Sequence, residues 1–318
     1  MTELEEVTRS FRAMGSDCEV RVVVEGHRAA LILDRVEARI GELEQRWSRF
    51  LPDSELSKLN AHSGAPVFVS SDTFDLISLA IDAWRATGGL FDPTLLDVLR
   101  GLGYDRPFDS MEGQALFAAQ PTEPSASDLN AIELHPHARM ILTPPSMQID
   151  LGGIGKGHAA DLLYAQVRED GVTGACLDLG GDIRTGGVTA EGTGWGIVVD
   201  QPFCPGDDLV MIGIGEGSVA TSSRLRRTWS TADGAAHHLI DPTTAQPAAS
   251  GLAAVTVVAA RAAWGEAHSK AALIAGPVEG AKLIEAAGLS ALFVADDGAV
   301  TMAGDFEKFV IGRPAFTP

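Results

Sequence analysis

Ile149-Asp150-Leu151-Gly152-Gly153-Ile154-Gly155-Lys156-Gly157-His158-Ala159-Ala160-Asp161 packs four glycines, one lysine and two aspartates into thirteen residues. Apolar Ile149 and Leu151 precede the glycines, and the helix-like run Leu162-Leu163-Tyr164-Ala165-Gln166-Val167 follows them. The pattern predicts a strand end, a tight turn and a helix start. Glycines let a backbone approach a ligand closely, and a helix N-terminus presents free N–H groups to anions. Lys156 adds a positive charge there. Two common phosphate loops are excluded. A P-loop requires glycine six positions before its lysine, where this chain has Asp150, and the dinucleotide fingerprint G-x-G-x-x-G is replaced by G-x-G-x-G over 153–157. The local pattern therefore allows an anion-binding turn or a plain glycine turn with a solvated lysine.

The chain has 318 residues, 45% hydrophobic and 21% charged, and a formal net charge of −19. That composition is ordinary for a globular protein, and the length is ample for a sizeable core. The acidic balance argues against a nucleic-acid binder, which needs a basic footprint. A small anionic ligand would need a locally basic pocket. Cys18, Cys176 and Cys204 lie far apart and are odd in number, so no disulfide framework is expected. The acidic stretch Met1–Glu6 lacks the features of a signal peptide, and no apolar run reaches membrane-spanning length. The expectation is a cytoplasmic protein with no membrane insertion.

Residues 7–25 alternate as one or two strands, interrupted at Met14-Gly15-Ser16, where either a bulge or a turn facing a ligand satisfies the pattern. Leu31, Val36, Ile40 and Leu43 predict an amphipathic helix over 28–47. Asp53 or Ser54 is a candidate cap for a short helix after Pro52, and Arg49 reads as a surface arginine or a phosphate ligand. A strand at 67–69 and a helix over 72–87 follow, ended by Gly88-Gly89. Leu90-Phe91-Asp92-Pro93-Thr94 is a compact turn. Residues 104–130 read as a loop or insertion, and 139–151 as strand. Beyond the glycine stretch, strands are expected at 174–179, 183–187, 195–200, 209–214, 218–223, 253–260 and 291–294, with helices over 262–275 and 278–287. The mixture predicts a single α/β (α+β) domain spanning 7–314, with mixed sheets and flanking helices.

Seven segments, in order, resemble the ApbE family of FAD:protein FMN transferases. They are Met14-Gly15-Ser16; Ser48-Arg49-Phe50 with Ser54 to Asn60; Phe91-Asp92-Pro93-Thr94; Asp150 to Asp161; Gly180-Gly181-Asp182; His238-Leu239-Ile240-Asp241-Pro242; and Val255 to Ala259 leading into the helix at 262. The resemblance implies a T-fold-like domain that binds FAD with magnesium at its diphosphate. It implies transfer of FMN to a threonine or serine hydroxyl of an acceptor protein, with AMP released. Alternatives are a flavin-binding or flavin-carrying protein with weak or lost transfer, and an FAD pyrophosphate hydrolase.

The resemblance also assigns residues. His238 falls on the active-site histidine and would take the acceptor's proton. His237 is the weaker candidate of the pair. Met14, Gly15, Ser16, Phe91, Asp92, Asp150, Gly153, Ile154, Lys156, Gly181, Asp182, Ser222 and Asp241 fall on flavin-nucleotide positions. Asp182 would accept from adenine or ribose, with a turn-capping role as its alternative, and Asp241 shapes a turn. The Gly155 carbonyl and Glu266 fall on metal-ligand positions. There the chain departs from the family. The family's A-D-A-L-A-T-A is Gly265-Glu266-Ala267-His268-Ser269-Lys270-Ala271, so Glu266 replaces an aspartate and Lys270 a threonine. Lys270 cannot coordinate magnesium. Its ammonium either stands where the metal would sit, which makes it a catalytic candidate, or forms a surface pair with Glu266 worth a few tenths of a kcal/mol. Leu225 also replaces a family tyrosine, and Ala245 a glycine.

Overall fold

Met14 and Gly15 turn the chain back on itself in two residues, both with positive φ (50° and 65°), so that Ala13 pairs with Ser16. Two left-handed residues match the twist of the strands they join. The interruption read at 14–16 is therefore a hairpin tip. The computed structural model describes residues 4–111, 128–204, 206–232 and 234–312.

In chain order the first elements are β1 (Leu4–Ala13), β2 (Ser16–Glu25), α1 (Gly26–Trp47), α2 (Glu55–Ala61), β3 (Pro66–Phe68), α3 (Ser71–Ala86) and α4 (Leu96–Gly101). Then come β4 (Glu133–His135), β5 (Met140–Leu142), α5 (Gly155–Glu169), β6 (Gly174–Leu179), β7 (Asp182–Gly187), β8 (Trp195–Asp200), β9 (Asp208–Ile214) and β10 (Gly217–Ser223). The rest are β11 (Thr228–Thr231), β12 (Gly234–His237), β13 (Ile240–Asp241), β14 (Gln246–Pro247), β15 (Leu252–Ala259), α6 (Ala262–Ala286), β16 (Ser290–Ala295), β17 (Val300–Ala303) and β18 (Val310–Gly312). The architecture is mixed α and β.

An eight-stranded antiparallel sheet, ordered β1-β2-β6-β7-β10-β15-β16-β17, carries the fold. Alternation sorts its side chains to two cores. On β2, Val22 and Val24 join a cluster with Ile32, Val36 and Leu43 of α1 and Leu163 of α5. Val23, between them, points the other way to Trp195, Ile197 and Ile212 of the small sheet β18-β9-β8. Every residue of β15 is buried, because α6 covers one face and the small sheet the other. Strands covered on both faces read as continuous apolar runs.

Some expectations change. Leu31 is 62% exposed; the inward stripe of α1 runs through Ile32, Leu33, Val36, Ile40 and Leu43. Residues 139–151 form a strand only over Met140–Leu142. Pro144 and Pro145 remove two backbone donors, which ends the pairing. Of the expected loop at 104–130, residues 112–127 lie outside the described residues, while Phe108–Ser110 and Leu129–Ala131 are short 3₁₀ turns. The two expected C-terminal helices are present, joined end to end as α6 with a non-helical kink at Gly276 (φ 83°) just before Pro277.

Candidate active site

The backbone of Ile149, which no strand pairs, is held by one side chain. Asn60 Oδ1 accepts from Ile149 N–H and Asn60 Nδ2 donates to Ile149 O, both at 2.8 Å. Asn60 is itself placed by α2, whose N-terminus Ser54 caps through its hydroxyl. This clamp sets the entry to the glycine turn. Asp150 N–H donates to Pro93 O at 2.7 Å, tying the turn to the Phe91–Thr94 segment.

α5 starts at Gly155, so Lys156 and Gly157 lie in its first turn. The anion met there belongs to the protein. Gly157 N–H donates to Glu266 Oε2 at 2.8 Å. In return Asp161 of α5 accepts from Ala262 N–H and Ala263 N–H at 2.9 and 3.2 Å, capping α6. The two helices thus satisfy each other's orphan donors.

Lys156 Nζ bonds Glu266 Oε1 at 3.0 Å and also contacts Asp182. Lys270 Nζ reaches the same Glu266 Oε1 at 3.0 Å, one helical turn along α6. Glu266 is fully buried, so the pair is no surface ion pair. Burial alone would raise the Glu266 pKa; Lys156, Lys270 and the Gly157 N–H outweigh it and hold it at about 2. Burial would lower the Lys156 pKa, but Asp182 and Glu266 raise it, so its charge is locked on.

A cleft of about 540 Å³ opens over this group. Its walls include Met14, Gly15, Phe91, Asp92, Asp150, Gly153, Gly155, Lys156, His238 and Lys270. Segments more than 250 residues apart in the chain therefore converge on one space. Ser16, Ile154, Gly181, Asp182, Ser222, Asp241 and Glu266 stand behind or beside the walls. Ser16 Oγ accepts from Arg227 Nη2 at 3.1 Å. Ile154 is a core residue. Gly181 N–H donates to Asp178 Oδ1 at 2.7 Å, so Asp178 caps the double-glycine turn and Asp182 serves Lys156. Ser222 and Ser269 share a hydroxyl bond of 2.7 Å across β10 and α6. Asp241 caps its own turn through Thr243 N–H at 2.8 Å.

The neighbouring histidines divide the work. His237 Nε2 donates to Ala248 O at 3.2 Å and its Nδ1 accepts from Leu239 N–H, a structural pair of bonds. His238 lines the cleft, and its buried Nδ1 has no partner among the described residues. Burial, then Arg227 and Lys270, push its pKa well below 6.5. A neutral imidazole beside three cations is a proton acceptor at neutral pH.

Two further arginines line the cleft, of which only Arg49 was singled out in the sequence. Arg49 is 5% exposed, and its guanidinium carbon lies 4.3 Å from the Phe50 ring centre and 4.6 Å from that of Tyr104. Its Nη1 donates to Tyr104 O at 2.9 Å, its Nε faces Asp150 at 3.4 Å, and its buried Nη2 is unpartnered. The surface reading of Arg49 is thus replaced by a wall position. Arg227, held left-handed (φ 52°), joins Lys156 and Lys270 around His238. No spacing rule marked it, because its place comes from the β11–β12 hairpin.

The magnesium position implied by the resemblance does not fit this donor set. Both Glu266 oxygens already accept hydrogen bonds, two of them from ammonium groups. Among the described residues no three His, Cys, Asp or Glu side chains group to hold a metal ion.

Comparison with known proteins accords with this geometry. The family model "ApbE family" matches residues 14–293. The chain is 25% identical over 311 residues to the FAD:protein FMN transferase of Klebsiella pneumoniae, covering 95% of this chain and 89% of that protein. It is 28% identical over 320 residues to that of Treponema pallidum, covering 92% and 85%. Among solved structures, the ApbE protein of Thermotoga maritima superposes with a TM-score of 0.86 at 23% identity, covering 96% of this chain and 99% of that one. The flavin transferase ApbE of Vibrio cholerae gives 0.82, also at 23%, with the same coverage. The chain belongs to the ApbE family.

Proposed function

We propose that this protein transfers FMN from FAD to a threonine or serine hydroxyl of an acceptor protein. The hydroxyl oxygen forms a bond to the FMN-side phosphorus, the phosphorus–oxygen bond to AMP breaks, and AMP leaves with the bridging oxygen. The acceptor's proton passes to the imidazole of His238. The observation that carries this reading is His238: it lines the cleft with a buried Nδ1 that has no partner among the described residues, and Lys156, Arg227 and Lys270 line the same cleft. Diphosphate cleavage needs chiefly positioning and charge neutralisation, and these three cations supply the latter. Met14, Gly15, Phe91 and Arg49 offer apolar, planar and cationic surface to the flavin nucleotide. No described helix is long and apolar enough to cross a membrane. The acceptor in this reading is a protein, or a segment of one, exposed to the cytoplasm.

The test is an incubation with FAD and an acceptor domain bearing an exposed threonine, followed by intact-mass measurement. The expected result is a gain of one FMN on the acceptor, with AMP released in equal amount. His238→Ala should lower the rate by a factor on the order of 10² to 10⁴ while FAD still binds. Free FMN and AMP without acceptor modification would instead identify a hydrolase. Tightly bound, intact FAD beside unmodified acceptors would identify a flavin carrier, a reading that the engaged Glu266 oxygens favour over hydrolysis.

A further inference from the structure

A chain of alternating charges, Asp182, Lys156, Glu266, Lys270, runs along the cleft, and its two lysines reach the cleft surface. Its links differ in what they leave free. Lys156 is held by two carboxylates. Glu266 Oε1 takes both ammonium groups and Oε2 takes the Gly157 N–H. Lys270 ends the chain. It lines the cleft, and among the described residues it donates only to Glu266. An ammonium has three donors, so two remain for a ligand.

The lysine's stem is also built in. A Cβ on Gly153 would lie 3.4 Å from Lys270 Cδ and Cε, and 3.1 Å from Phe91 Cε2. The glycine turn therefore makes room for a lysine arm crossing its backbone beside Phe91. The same turn that reads as a phosphate loop in sequence serves to seat a side-chain cation.

We infer that Lys270, braced by the buried Glu266, is the cation this cleft offers to a diphosphate, so that a dinucleotide binds without a divalent metal ion. The inference deepens the FAD reading and rests on it. A dication at this spot would face two ammonium groups at close range and would find both Glu266 oxygens engaged. A diphosphate oxygen instead meets free N–H donors on Lys270, and Arg227 lines the same cleft. Charge-assisted hydrogen bonds from a fixed ammonium to phosphate are among the strong ones. The Glu266 carboxylate anchors the Lys270 ammonium by one hydrogen bond, through the same oxygen that accepts from Lys156.

The experiment is equilibrium binding of FAD and of riboflavin to the full chain, before and after treatment with EDTA and with magnesium restored. The expected result is an FAD dissociation constant unchanged within about twofold by EDTA or magnesium. Lys270→Met should weaken FAD binding by about tenfold to a hundredfold, since a hydrogen bond to a charged group is lost, and should leave riboflavin binding unchanged. Lys270→Arg should keep most of the affinity. The double variant Lys270→Thr, Glu266→Asp, which exchanges the ammonium for oxygen donors, should acquire a magnesium requirement for FAD binding. FAD binding that EDTA abolishes and magnesium restores in the unaltered protein would overturn the inference. So would a Lys270→Met protein that binds FAD as the parent does. FAD binding and FMN transfer that both require magnesium would sink the inference and leave the transferase reading standing. Metal-free FAD binding with no acceptor ever modified would do the reverse.

Discussion

Gly157 shows how a residue read in sequence as part of a turn can serve the packing of two helices. In sequence it is the last glycine of an anion-binding turn. In the structure it is where α5 and α6 cross: a Cβ there would lie 2.5 Å from Ala262 O and 2.6 Å from Ala263 N. Alanine would gain roughly 1 kcal/mol in helix propensity. Overpacking costs about 1–3 kcal/mol, and here the obstacle is backbone that cannot rotate away. The overlap wins. Gly157→Ala should lower stability by up to about 2 kcal/mol net, read as a drop in the denaturant midpoint. It should also weaken FAD binding, since Lys156 and Glu266 flank the crossing. An unchanged midpoint would contradict the close-packed crossing. Arg49 is the converse case. Its identity was plain, but periodicity says nothing about a loop arginine, and its partners Tyr104 and Asp150 come from 55 and 101 residues away in the chain.

At the scale of elements, the sequence showed most where periodicity was strong and tertiary partners agreed with it. α1, α3 and α5 begin and end within a few residues of their apolar patterns, and β15 follows from its unbroken run. Local propensity failed where something else supplies the pairing. The stretch before the glycine turn has the apolar content of a strand, yet two prolines forbid a ladder there. Asn60, 89 residues away, does a strand's work with one amide. A side chain imitating a partner strand leaves no trace in any window of sequence. The mutual capping of α5 and α6 was likewise invisible. Asp161 and Glu266 are ordinary helix-interior acids until the two helices cross, and each then completes the other's first turn. The seven motif segments named the neighbourhood of the cleft well. They did not separate residues on its wall, such as Lys156 and His238, from those that only prop the wall, such as Asp182 and Ser222.

For the whole molecule, burial of histidine sets the acid side of the stability profile. His158 is pushed by burial to about 4, and His237, His238 and His268 are also lowered, burial being the largest cause for each. The folded chain therefore binds protons at these sites less readily than the unfolded chain, whose histidines titrate near 6.5. Above 6.5 the difference is silent. As pH falls below 6.5 the unfolded state takes up protons that the folded state refuses, so stability drops, by up to about 1.4 kcal/mol per pH unit for each histidine. The buried Asp92, Asp161, Asp178 and Asp182, whose pKa values burial raises, act in the opposite sense toward the acid end. Urea unfolding at pH 7.5 and pH 5.5 should show the loss, and a midpoint that rises on acidification would refute it.

The cations gathered around His238 sit in a chain whose formal net charge is −19, and this has a kinetic consequence. A dianionic ligand far from the protein feels repulsion; only within a few ångströms of Lys156, Arg227 and Lys270 does the sign reverse. The outer barrier is long-ranged and exposed, so it is erased by salt once the Debye length shrinks to about 10 Å near 0.1 M. The inner attraction is partly buried and screened much less. Stopped-flow association of FAD should therefore quicken as ionic strength rises from low values, the opposite of an enzyme that draws its anion in by its overall field. A rate that falls with salt from the outset would mean that the cleft's own field reaches beyond the acidic surface around it.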